Sequence, residues 1–169
     1  LLLLWNRLFR CGRFYKAAAN SKRHYSAIAL MEKPSIILLF DGYCVLCNAA
    51  VDFVLKQDKK HKIKVGAMQS PEGQRVLHHY GLPSTYQESV VLIYNREIHL
   101  GSTAALRIAR LLGGGWPLFY PLIFIPRGWR DRIYHWIGTN RYTWFGKNES
   151  CRIPSKVEAN RFLHLDQPL

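Results

Sequence analysis

The chain has 169 residues, 49% hydrophobic and 21% charged, which suits one globular domain with a real core rather than two. Its 24 Lys and Arg against 11 Asp and Glu give +13, but six of the bases and none of the acids lie in residues 1–31, leaving +7 on the rest. That balance argues against a nucleic-acid partner and fits an acidic or membrane-surface one, while no stretch reaches the ~20 apolar residues of a membrane span.

Residues 1–31 are rich in Arg, Leu, Ala and aromatics. They are expected to be a mitochondrial targeting presequence, cut near Tyr25 and Ser26 and carrying Cys11 away; a plastid transit peptide is the alternative. Ile36 to Phe40 is a continuous apolar run, the pattern of a strand covered on both faces. Gly42 permits a turn, and from Val45 the apolar residues fall mostly at helical spacing up to the charged exit Lys56 to Lys62. Ile63 to Met68 is a second strand. Ser70 is a fair N-cap with Pro71 at the first helical position, and that helix stops at Gly81-Leu82-Pro83.

Ser89 to Tyr94 reads as a third strand, Asn95-Arg96 as a turn, and Glu97 to Leu100 as a fourth. Gly101-Ser102 opens a helix whose apolar stripe includes Ala104, Ala105, Ile108 and Leu112, and Gly113 to Gly115 end it. The order βαβ–α–ββ–α matches an α/β thioredoxin or glutaredoxin core, a four-stranded mixed sheet flanked by helices. Trp116 to Trp129, broken by three prolines, is expected to pack over the sheet; the alternative is a surface for a membrane or partner. Asp131 to Ile137 is a further helix, broken by Gly138. Residues 155–169 form a polar tail expected to fray, so the domain spans 32–154, with a helical extension from about 116.

The chemistry is concentrated in Asp41-Gly42-Tyr43-Cys44-Val45-Leu46-Cys47-Asn48. A Cys-x-x-Cys between a buried strand and a helix puts both sulfurs at a helix N-terminus. Unpaired N–H groups and the helix dipole favour a thiolate there. The thiolate is the species that attacks a disulfide. Cys44, nearer the turn, is expected to be exposed and to be the nucleophile; Cys47, one turn deeper and more covered, is expected to resolve the mixed disulfide. Two other readings of the pair are a zinc half-site and inert packing. A closed zinc site needs a second ligand pair, and Cys11 and Cys151 are single and far apart, so no metal is expected. Asp41 is a candidate to accept or return the Cys47 proton, or to tune the pair through its charge. Its local alternative is an Asp-Gly turn.

The Asp41–Asn48 segment resembles the signature of the DCC family of thiol-disulfide oxidoreductases, named for an Asp-x-x-Cys-x-x-Cys motif and assigned to the thioredoxin-like superfamily. Asn140-Arg141-Tyr142-x-x-Phe145-Gly146, with Cys151 behind it, resembles the C-terminal signature of the same family. The resemblance covers about Ser35 to Pro154 and implies thiol–disulfide exchange with protein thiols or disulfides; no cofactor is expected. Tyr142 and Phe145 are expected as core aromatics, and Arg141 as an ion-pair partner or a helix cap. Thioredoxins place a cis-proline before the third strand. Here that position falls near Glu88-Ser89, so Ser89 and Val90, with Tyr43, are expected to line a substrate groove through ordinary trans peptides. The reading from a different class is a non-catalytic thioredoxin-like subunit of a mitochondrial complex.

Overall fold

The computed structural model describes residues 36–152 and 158–163. The expected targeting segment with Cys11, and residues 155–157 and 164–169 of the expected tail, lie outside the described residues. Four strands form one mixed sheet: β1 (Ile36–Phe40), β2 (Ile63–Ala67), β3 (Val91–Tyr94) and β4 (Glu97–Leu100), in the order β2-β1-β3-β4. β1 runs parallel to β2 and antiparallel to β3, and β3 runs antiparallel to β4. Asn95 and Arg96 both take positive φ, at 54° and 64°, the two-residue turn whose twist matches a hairpin.

β1 is buried along its whole length because both faces of the sheet are covered. Ile36, Leu38 and Phe40 pack with Val51 and Val54 of α1 (Val45–Gln57) and with Ala104 and Ile108 of α3 (Gly101–Leu112). Ile37 and Leu39 face the other way, against Val76 and Leu77 of α2 (Pro71–His79). α2 begins as its residues dictate, with the Ser70 hydroxyl accepting the Gly73 N–H at 3.1 Å and Pro71 following. A side chain at Gly73 would collide with the Ala67 carbonyl, so only glycine lets α2 sit this close to β2.

Three expectations change. Ser89 and Val90 lie outside the β3 ladder, and the Val90 N–H donates to the Tyr134 hydroxyl at 3.3 Å instead of to a neighbouring strand. Trp116 to Trp129 does not pack as core. A 3-10 segment over Trp116–Phe124 buries none of its residues, and Leu118 and Phe124 are 82% and 86% exposed. Gly138 does not end a helix either: α4 runs unbroken from Arg127 to Phe145. Its hydrogen bonds to the rest of the fold outweigh the roughly 1 kcal/mol that a mid-helix glycine costs.

The expected frayed tail also differs. Ala159–Arg161 form a short 3-10 turn, Phe162 and Leu163 are buried, and the Leu163 N–H bonds the Val65 carbonyl at 2.9 Å. The buried Arg161 guanidinium holds the buried Asp58 carboxylate at 2.6 Å. Polar composition concealed this return, because its apolar content is only two residues wide. No helix among the described residues is long and apolar enough to cross a membrane.

Candidate active site

Cys44 is the N-cap of α1, with extended backbone angles of −80° and 121°. Its sulfur accepts the Cys47 N–H at 3.2 Å, the hydrogen bond that an N-cap side chain makes to the first turn. Both thiols are free. The Cys47 thiol is pushed strongly upward by burial, then by its hydrogen bond with Cys44 and by the charges of Cys44 and Asp41; Arg141 opposes this. Cys47 therefore holds its proton, while Cys44 receives the backbone donor.

The expected exposures are reversed. Cys44 is fully buried, at 0% exposure, and Cys47 is only half-buried. The chain beyond α4 covers Cys44: Lys147 forms a β-bridge with it, and the Asn148 N–H bonds the Tyr43 carbonyl at 2.8 Å. Lys147 also stands 5.5 Å above the Tyr43 ring. A Cys-x-x-Cys motif says nothing about a segment returning from a hundred residues later.

Asp41 is buried, with 4% of its side chain exposed, and is held from three directions. The Arg141 guanidinium reaches Oδ2 at 3.2 Å, the Tyr142 hydroxyl donates to the same oxygen, and Gln69 Nε2 donates to Oδ1 at 2.9 Å. The Tyr43 N–H adds a fourth bond at 3.1 Å, the local turn contact expected of Asp before Gly. Gln69 also accepts the Gly42 N–H at 3.0 Å, which ties the turn to β2. The Tyr142 phenol is pushed up to about 12, by burial first and then by its bond to Asp41, so it stays a donor. No hydrogen bond joins Asp41 to Cys47; the carboxylate acts on that thiol through its charge. Arg141 is thus an ion-pair partner, and Tyr142 a polar contact rather than a core aromatic. Phe145 is 46% exposed.

The expected groove residues are dispersed. Ser89 and Val90 line a cavity of about 380 Å³ together with Cys47, Tyr134 and Arg141, and Tyr43 lies outside it under Lys147. The walls come from the sheet and from α1, α3 and α4, and they are almost wholly apolar. The Ser89 hydroxyl is engaged by Tyr86 at 2.7 Å and by the Gly101 N–H at 3.2 Å. Every described peptide bond is trans. Among the described residues no cluster of His, Cys, Asp or Glu could hold a metal ion.

Sequence reasoning missed Gln69, Tyr134 and Lys147. Gln69 and Lys147 carry no local signal, since their roles depend on partners far away in the chain. Tyr134 had one that the expected break at Gly138 hid, because on the unbroken helix a tyrosine seven residues before Arg141 shares its face.

The family model described as DCC1-like thiol-disulfide oxidoreductase matches residues 38–147. The chain is 42% identical over 130 residues to the uncharacterized protein YuxK of Bacillus subtilis, covering 77% of this chain and 95% of that one. It is 37% identical over 118 residues to a DCC family protein of Arabidopsis thaliana named as chloroplastic, covering 69% of each. No solved structure matches the chain. The model match spans both the Asp41–Cys47 turn and the Arg141-Tyr142 pair that grips it. The chain belongs to the DCC1-like thiol-disulfide oxidoreductase family.

Proposed function

We propose that this chain is a protein thiol–disulfide oxidoreductase in which Cys44 and Cys47 cycle between dithiol and disulfide. The observation that carries the reading is the Cys47 N–H on the Cys44 sulfur at a helix N-terminus, beside a Cys47 thiol that burial keeps protonated. The Cys44 thiolate attacks a substrate disulfide, forming one S–S bond and releasing one substrate thiolate. Cys47 then gives up its proton and attacks the Cys44 sulfur. The Cys44–Cys47 disulfide forms, and the second substrate thiol leaves. In the reverse direction the same steps oxidise a substrate dithiol.

Two features set the conditions of this cycle. Cys44 is fully buried, so attack requires the Lys147 crossing to give way. Asp41 is fully engaged by Arg141, Tyr142 and Gln69, so its part is to raise the Cys47 thiol by charge and to fix the turn. Residues 1–31 are an organellar targeting segment. The chloroplastic relative favours the plastid alternative over the mitochondrial one.

The test is equilibration of the full chain across glutathione poises. A two-electron transition between Cys44 and Cys47 is expected, and a chain that cannot cycle under any poise would end the proposal. Cys47→Ser is expected to accumulate mixed disulfides through Cys44, and Cys44→Ser to accumulate few. The opposite pattern reverses the two roles.

A further inference from the structure

Helix α4 is amphipathic in the wrong sense for a packed helix. Trp129, Ile133, Trp136, Ile137 and Trp144 recur at spacings of four, three, one and seven residues and so share one face. All five are exposed, from 37% at Ile137 to 69% at Trp129. The opposite face turns its polar groups inward. Asp131 accepts from Ser102, the Tyr134 hydroxyl accepts the Val90 N–H, and Arg141 and Tyr142 hold Asp41. The preceding 3-10 segment extends the pattern, with Leu118, Phe119, Leu122 and Phe124 exposed. Eleven of the twelve exposed large apolar residues among those described fall between Leu118 and Phe145, so this is a dedicated surface and not ordinary scatter.

We propose that this face docks on an anionic lipid bilayer, with α4 lying in the headgroup region rather than crossing it. Charge selects this occupant. Residues 101–148 hold seven Lys and Arg, of which six remain once Arg141 is turned inward onto Asp41, and a single acid, Asp131, which Arg127 engages at 2.9 Å. A second copy of the chain would bring the same positive surface against itself. An anionic lipid surface supplies the opposite charge and takes the apolar stripe in one contact. Four of the five tryptophans of the chain lie between Trp116 and Trp144, and tryptophan ring systems settle at the headgroup boundary. Crossing is excluded by the inward face, which is committed to the domain, and by the absence of a long apolar helix among the described residues. Because the inner face of the same helix holds the site, docking sets the dithiol within about 10 Å, one helix diameter, of the lipid surface.

The test is flotation of the full chain with vesicles of phosphatidylcholine containing phosphatidylglycerol, against vesicles of phosphatidylcholine alone. Binding to the anionic vesicles is expected, with tryptophan fluorescence quenched by brominated lipid. Leu118→Asp, Phe124→Asp and Trp129→Asp are each expected to weaken binding about tenfold or more, since each removes a large apolar group and adds repelled charge. These positions are 82%, 86% and 69% exposed, so the variants are expected to keep their fold. Dithiol cycling measured on the same variants without lipid is expected to be unchanged, so loss of docking and loss of redox chemistry are separate results. A parent chain that leaves anionic vesicles unbound overturns the proposal. So do variants that bind as tightly as the parent, which would assign the binding to residues 1–31. So does a self-association or a purified protein complex that the same substitutions abolish.

Discussion

Helices α3 and α4 present the same kind of pattern and do opposite things with it. In α3 the apolar stripe faces the sheet, and Ala104 and Ile108 are buried against β1. In α4 no residue is buried, and the Trp and Ile stripe faces out. Periodicity shows that a helix has an apolar face; it does not show what covers that face. In α4 the polar side chains decide, because each has a specific partner: Ser102, the Val90 N–H and the Asp41 carboxylate. Such bonds contribute about 0.5–3 kcal/mol each. Leaving a large apolar side chain exposed forgoes about 1.5–3 kcal/mol. The two sums are comparable, so the inverted helix stands in water only because its inner contacts are specific.

The sharpest way to break this comparison is to delete one aromatic from each region. Phe40 is 1% exposed and Trp129 is 69% exposed. Phe40→Ala is expected to cost about 3–5 kcal/mol in urea unfolding without lipid. Trp129→Ala is expected to stay within about 0.5 kcal/mol. Equal losses would mean that the outer stripe is covered in solution.

The inner face is tested through Arg141, whose side chain is 11% exposed against 4% for Asp41. Arg141→Ala leaves a buried carboxylate unpaired and is expected to cost about 3–5 kcal/mol. Pairing Asp41→Asn with Arg141→Met removes both charges and is expected to recover much of that loss. If the single change costs under ~1 kcal/mol, the ion pair does not anchor α4.

How legible all this was in the sequence depends on where a residue finds its partner. The β1 run, the Ser70-Pro71 start of α2 and the Asn95-Arg96 turn were legible because their causes are local. Asp41, Cys44 and Cys47 were legible because seven consecutive residues hold all three. The grip on Asp41 was not, since Gln69 lies 28 residues away and Arg141 lies 100. The sequence marks Arg141 as an ion-pair candidate but does not name its partner. Gly138 looked like a stop because intrinsic propensity is a weak prior that tertiary contacts override. The burial of Cys44 depends on the Lys147 crossing, and the outward turn of Trp129 depends on Asp41 needing Arg141. Both are long-range facts.

A smaller effect separates the thiols. Burial raises the Cys47 thiol in the fold, so the folded dithiol keeps that proton where the unfolded chain, at about 8.5, releases it. Above that value the unfolded state binds fewer protons than the folded one, and stability falls as pH rises. The reduced protein is expected to show flat stability between pH ~7 and ~8, above the range in which His99 titrates, and a decline of at most about 1.4 kcal/mol per unit between pH ~8.5 and ~9.5, before tyrosines titrate near ~10. Urea midpoints on the reduced chain measure it. Cys47→Ser should flatten the slope; an unchanged slope would place the titrating group elsewhere.

The smallest expected effect lies where the two regions touch. The Tyr134 hydroxyl accepts the Val90 N–H at 3.3 Å, next to the cavity that Cys47 borders. Burial raises the Tyr134 phenol, so it stays neutral and this contact is an ordinary hydrogen bond. Tyr134→Phe keeps the ring and removes only the oxygen, and it is expected to cost about 0.5–1.5 kcal/mol. The freed Val90 N–H should exchange with solvent faster than in the parent, while the N–H of Leu92, inside the ladder, should not. The same change frees a backbone donor on the cavity that Cys47 borders, so capture of an extended substrate peptide by Cys47→Ser is expected to improve when Tyr134→Phe is added. If Val90 exchange is unchanged and capture does not improve, α4 holds the site through Arg141 and Tyr142 alone, and the Tyr134 contact is incidental.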